Sequence, residues 1–154
     1  MKYIMKHGIV TGSSRGIGLA TVEMLYNGSG FKIIDLFTTG NNPLGHSNFK
    51  CLKLDLSNSN SIEKFVAMLK DIKLDFIINN AGILIEKWDV SAINMKQLKQ
   101  TFNTNVFGII ELTEKLLSRL NTKAYIISIA SDWGLLVNRI LMPFRPIIKC
   151  LKQL

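Results

Sequence analysis

The sequence predicts an α/β protein built on a doubly wound parallel sheet, about five strands in the order 3-2-1-4-5 with helices on both faces. Short apolar runs alternate with stretches of helical periodicity, the pattern of repeated βαβ units joined by right-handed crossovers. The apolar pair Ile9-Val10 passes into a helical pattern through Thr11-Gly12-Ser13-Ser14-Arg15-Gly16-Ile17-Gly18. A second apolar run, Leu74 to Ile78, ends in Asn79-Asn80-Ala81-Gly82.

The first strand is expected from Ile4 or His7 to Thr11, with Gly8 as a weak point inside it. The glycines that follow suit a phosphate, because the free N–H groups and partial positive charge of a helix N-terminus face the anion. Helix one should bury Ile17, Met24 and Leu25 on one side and end at Gly28 and Gly30. Strand two is expected from Phe31 to Phe37 and strand three from Phe49 to Leu54, which ends in Asp55-Leu56. Ser57 or Ser59 should cap the next helix, leaving Asp55 free for a ligand. That helix carries Ile62, Phe65, Val66 and Leu69 at i, i+3, i+4 and i+7. Strand four, Leu74 to Ile78, is apolar apart from Asp75, as a strand buried on both faces should be. Two helical stretches between Ser91 and Leu120 join around Asn105, where the nearby Gly108 suggests a kink. Strand five, Tyr125 to Ala130, delivers Ser131-Asp132-Trp133-Gly134.

Composition narrows the function classes. At 154 residues and 47% hydrophobic content the chain is expected to form one domain with a substantial core. The net charge of +8 comes from 19 basic against 11 acidic residues, but the basic ones are scattered singly and are mostly lysine. That distribution argues against nucleic acid and fits a basic surface that recruits a polyanionic small molecule. Cys51 and Cys150 are isolated, so neither a disulfide framework nor a metal site is indicated, and two free thiols fit a reducing cytoplasm. No apolar run is long enough to span a bilayer, and no membrane association is expected.

Thr11, Gly12, Gly16 and Gly18 match the TGxxxGxG pattern of the short-chain dehydrogenase/reductase family, and Asn79-Asn80-Ala81-Gly82 matches its NNAG motif. The chain is therefore identified as resembling that family from about residue 6 onward, which implies a Rossmann-type NAD(P)-binding domain. The resemblance implies cofactor contacts at Gly12, Ser14, Arg15, Gly16, Ile17, Gly18, Thr38, Asp55, Leu56, Asn80, Ala81, Gly82 and Ile129, with Asp55 and the Leu56 N–H reading the adenine. Strand two ends in Phe37-Thr38-Thr39 without an acid, and Arg15 resembles the basic residue of NADP-preferring relatives, so NADP is favoured over NAD. Asn105 and Ser131 match catalytic positions, the asparagine kinking its helix and holding a relay water, the serine orienting the substrate carbonyl.

The family's Tyr-xxx-Lys pair, which shares a helix face and manages the substrate proton, falls on Phe144 and Ile148. Phenylalanine keeps the ring and loses the proton. Lys149 does not substitute, because one residue along a helix turns the side chain by about 100°, and Pro146 favours a helix start there, behind Phe144. Three readings stay open: an NAD(P)-dependent oxidoreductase acting on a small carbonyl or alcohol with impaired activity; a nucleotide-binding pseudoenzyme that regulates or pairs with an active homologue; and a non-functional product of a damaged gene. The chain is also expected to be C-terminally truncated relative to a whole family domain, exposing the edge of strand five to homo-oligomerisation or self-association.

Overall fold

The computed structural model describes residues 6–28, 34–38, 45, 49–85 and 93–130, with the backbone alone for Gly28 and 34–38. Its elements are β1 (Lys6–Val10), α1 (Gly16–Gly28), β2 (Ile34–Thr38), β3 (Phe49–Cys51), α2 (Ser59–Met68), β4 (Leu74–Asn79), α3 (Met95–Phe102), α4 (Gly108–Leu116) and β5 (Leu120–Ser128). The five strands form one sheet in the order β3-β2-β1-β4-β5. All four pairings are parallel, with Ile9 opposite Phe37 on one side and Ile77 on the other. This is the expected Rossmann-type sheet.

Two cores flank it, and neighbouring residues of the central strands serve opposite faces, as the pleat requires. Ile9 and Ile77 join Leu56, Ile62, Phe65, Leu69, Leu74, Leu112 and Leu116 beneath α2 and α4. Val10 and Ile78 join Val22 and Phe49 beneath α1. The α2 pattern holds as read, with Ile62, Phe65 and Leu69 fully buried. The face of α1 does not. Ile17 and Met24 are 64% and 65% exposed, and the helix instead packs through Gly18, Val22, Leu25 and Tyr26. Those residues recur at i, i+4, i+7 and i+8, an equally valid helical stripe that only the sheet's position selects.

Strand bounds also differ. β3 stops pairing at Cys51 rather than Leu54, and β5 begins at Leu120 with an irregularity before Tyr125 pairs with Phe76. Gly30 and residues 31–33 lie outside the described residues. Asp75, the one charge in β4, is satisfied by the strands beside it: it accepts from the His7 N–H at 2.9 Å and from Asn121 Nδ2 at 3.1 Å, with Lys6 Nζ at 3.7 Å. Gly8 has a packing reason, since a Cβ there would fall on the Phe76 ring of the adjacent strand. Among the described residues no helix is long and apolar enough to cross a membrane, and no cluster of His, Cys, Asp and Glu could hold a metal.

The Gly8–Phe76 contact is testable. Alanine in a strand gains about 0.5–1 kcal/mol over glycine in conformational entropy, but overpacking costs about 1–3 kcal/mol. Gly8→Ala should lower the urea midpoint in the parent chain and raise it in a Phe76→Ala background, a sign change that equilibrium unfolding would read directly.

Candidate functional site

The carboxyl ends of β1 and β4 lie side by side at the centre of the sheet, where the chain's winding reverses. Four hydrogen bonds join the two segments that leave them. Thr11 Oγ1 accepts from the N–H groups of both Asn80 and Ala81 at 3.0 Å. Asn80 Nδ2 donates to the carbonyls of Thr11 and Gly12 at 3.0 and 3.1 Å. The Thr11 N–H completes the junction by bonding the Ile78 carbonyl at 3.0 Å. Asn80 therefore spends its side chain on the glycine loop, while Asn79, buried, donates toward Thr113 Oγ1 at 3.3 Å and Ser128 Oγ at 3.4 Å. The asparagine pair ties β1, β4, β5 and α4 together. The anchoring role of Thr11 and the part of Thr113 were missed from sequence, although Thr11 opens the glycine motif; Thr113, within α4, gave no signal.

That junction shapes the glycine loop. Gly12 has φ +67°, and a Cβ on it would lie 2.7 Å from the Ala81 Cα. A Cβ on Gly18 would fall on the Gly12 carbonyl oxygen and Asn80 Nδ2. Gly16 differs: φ is +58° at the first residue of α1, and nothing lies within 4 Å of where a Cβ would be. Within the loop Ser13 turns inward, 1% exposed, while Ser14, Arg15, Gly16 and Ile17 are exposed. The loop thus presents an open helix N-terminus flanked by a hydroxyl and a guanidinium, a donor set suited to a phosphate.

Asp55 is not free, contrary to expectation. Its Oδ1 accepts from the Ser57 N–H at 2.9 Å and the Ser57 hydroxyl at 2.7 Å, and its own N–H bonds Ser61 Oγ at 2.9 Å. The Ser57 bonds hold the carboxyl below its ordinary value, the side-chain bond first, then the backbone bond, with Lys53 adding a smaller attraction against a small desolvation cost. The carboxylate stays ionised and exposed, with Oδ2 making no hydrogen bond among the described residues. The α2 cap is neither Ser57 nor Ser59 but Asn58, whose side chain accepts from the Ser61 N–H. Leu56 is buried, 5% exposed, so only its backbone can serve a ligand.

Asn105 sits in a π-helical turn, Asn103–Phe107, between α3 and α4. The helix is interrupted there by one wide turn, as the expected kink around Asn105 requires, and the Gly108 N–H closes it by bonding the Asn103 carbonyl; a Cβ on Gly108 would meet the Leu56 carbonyl, so this glycine also serves a close approach. Asn105 Nδ2 donates to the Ile83 carbonyl at 2.7 Å, and its Oδ1 accepts from the Ile83 N–H at 2.8 Å. This two-point clamp holds the segment after Gly82, which is exposed beside it. The Ile129 N–H bonds the Asn79 carbonyl at 2.9 Å, bringing the end of β5 to the same edge. Thr38 closes β2 opposite Val10 and Cys51. Ser131, Phe144 and Ile148 lie outside the described residues.

The model of the short chain dehydrogenase family matches residues 6–143, and the chain belongs to that family. It is 31% identical over 121 residues to a probable short-chain type dehydrogenase/reductase, VdlC, of Helicobacter pylori, covering 76% of this chain and 44% of that protein. It is 34% identical over 132 residues to the 3-amino-tetrahydro-pyrrolizinone reductase of Xenorhabdus hominickii, covering 82% of this chain and 46% of the relative. A short chain dehydrogenase family protein from Francisella tularensis superposes with a TM-score of 0.76 at 28% identity, over 86% of this chain and 54% of that one. The chain thus spans about half the length of these relatives.

The Thr11 hydroxyl gives the site's sharpest stability test. Thr11→Val keeps the shape and strands the Asn80 and Ala81 N–H groups, each costing about 1–3 kcal/mol if left unpaired. Thr11→Ser keeps the acceptor. Thermal unfolding should show a large loss for valine and a small one for serine; equal losses would assign the effect to the methyl group instead.

Proposed function

We propose that this chain binds NADPH across the carboxyl ends of β1 and β4, as the nucleotide-binding part of an oxidoreductase that exchanges hydride between nicotinamide and a carbonyl or alcohol. The observation that carries the reading is the open space at Gly16, at the start of α1, beside exposed Ser14 and Arg15. The pyrophosphate would lie on that helix start, the 2′-phosphate near Arg15, the adenine by Asp55 and the Leu56 N–H. The riboses would lie along Thr38, Asn80, Ala81 and Gly82, with Ile129 at the nicotinamide end. When bound, the dinucleotide supplies the hydride. Family membership supports this assignment. In the reading, Asn105 holds the segment after Gly82 in place, and Ser131 orients the substrate oxygen.

Titration tests the cofactor assignment. Arg15→Ala should weaken NADPH about tenfold, the loss of one charge-assisted phosphate contact, and weaken NADH far less. Equal losses for the two cofactors would remove Arg15 from the 2′-phosphate, and no binding by the parent chain would remove the whole reading.

Phe144 and Ile148 at the tyrosine and lysine positions support impaired turnover, and equally a second form of the reading in which the chain is a nucleotide-binding pseudoenzyme paired with an active homologue. A missing proton donor forfeits about 10²–10⁴-fold in rate. NADPH oxidation with small aldehydes and ketones should therefore run near background, and Phe144→Tyr alone should recover little because Pro146 follows so closely. Robust turnover abolished by Ser131→Ala would overturn the impairment. We place the protein in the cytoplasm on its isolated thiols, and we infer self-association through β5, whose Tyr125 is 53% exposed at the border of the described sheet.

A further inference from the structure

We infer that Gly108 is a positioning residue for the adenine end of the cofactor cleft, acting through the peptide of Leu56. This rests on the cofactor reading above. Gly108 is buried at the start of α4, and a Cβ on it would overlap the Leu56 carbonyl oxygen and lie 2.7 Å from the Leu56 carbonyl carbon and 2.9 Å from its Cβ. The obstacle is backbone, not the tip of a side chain, so the helix and the loop cannot both keep their places around any larger residue. The loop in question is the one that carries Asp55 and the Leu56 N–H.

The helix grips that loop again one turn later. Ser59, the first residue of α2, donates to Glu111 Oε2 at 2.9 Å, and Leu112 packs in the same core as Leu56 and Ile62. Immediately before Gly108, the wide turn carries Asn105, clamped to Ile83. One continuous helical segment therefore seats both walls of the cleft: the β3–α2 loop through Gly108, and the segment after Gly82 through Asn105. The π turn contains the first of these contacts, Asn105, and ends immediately before the second, Gly108. Gly108 touches no ligand. It sets the distance at which the Leu56 peptide stands from the sheet.

The experiment compares Gly108→Ala with Leu116→Ala by calorimetric titration. Leu116 is a fully buried residue at the far end of the same helix and serves as a control for lost stability without displaced Leu56. The probes are adenosine 2′,5′-bisphosphate, which carries adenine without nicotinamide, and inorganic pyrophosphate, which engages the glycine loop alone. Gly108→Ala should weaken the adenosine probe at least tenfold and leave pyrophosphate unchanged, while Leu116→Ala should change neither. Equal losses in both variants, or an unchanged adenosine affinity in Gly108→Ala, would overturn the inference. If Gly108→Ala does not fold, hydrogen exchange on the unaltered protein decides. Adenosine 2′,5′-bisphosphate should then slow exchange in Gly108–Leu112 as well as at Leu56, and protection confined to residues 12–18 and 55–57 would overturn it. Failure of the unaltered chain to bind either probe would instead strike the cofactor reading itself.

Discussion

The structure depends on the junction between Thr11 and Asn80. Two strands that are neighbours in space, but almost seventy positions apart in sequence, leave the sheet at the same level, and their exposed backbone groups would be unpaired without it. One threonine hydroxyl takes two N–H groups, and one asparagine amide returns two bonds to the carbonyls opposite. A half-buried polar network of this kind specifies geometry more sharply than apolar packing, because each bond constrains both distance and angle. The glycine loop inherits its shape from that junction: Gly12 lies against Ala81, and Gly18 against Asn80 and the Gly12 carbonyl. What faces outward is the part of the loop that the junction does not use, Ser14 to Ile17.

Around the junction, burial is divided between two faces with different tasks. The α1 side is small, with Val22 and Phe49 packed on Val10 and Ile78. The α2 and α4 side is larger and carries the site's second constraint, since α4 presses on Leu56 through Gly108 and is tied to α2 by Ser59–Glu111 and by Lys115–Glu63 at 3.3 Å. The latter pair is exposed and contributes about 0–1 kcal/mol; the packing of Leu112 and Leu116 against Phe65 and Ile9 is the stronger tie. The loop that carries Leu56 is thus held from behind, by α4.

Family membership and the catalytic positions pull in different directions. The chain keeps the residues of the TGxxxGxG and NNAG motifs, while on our proposed reading Phe144 and Ile148 stand where the family's tyrosine and lysine would. On that reading, nucleotide binding and proton transfer rest on different parts of the chain.

The doubly wound sheet, its strand order, the apolar stripe of α2 and the locations of both motifs were legible in the sequence because each rests on short-range periodicity or on residues whose chemistry is local. The buried face of α1 was not: Ile17, Met24 and Leu25 form one helical stripe and Gly18, Val22 and Leu25 another, and only the sheet beneath the helix chooses between them. Gly8 read as a defect until Phe76 of the neighbouring strand was seen to cross it, and the contact of Gly108 with Leu56 had no signal in the sequence beyond the kink it marked. Asp55 read as free until Ser57 folded back onto it. The local sequence by itself determined which elements form and where the glycine loop lies. Apart from Ser57 beside Asp55, the tertiary structure decided which groups are already spent on one another, because those partners lie on other strands and helices and no periodicity along the chain encodes their distance.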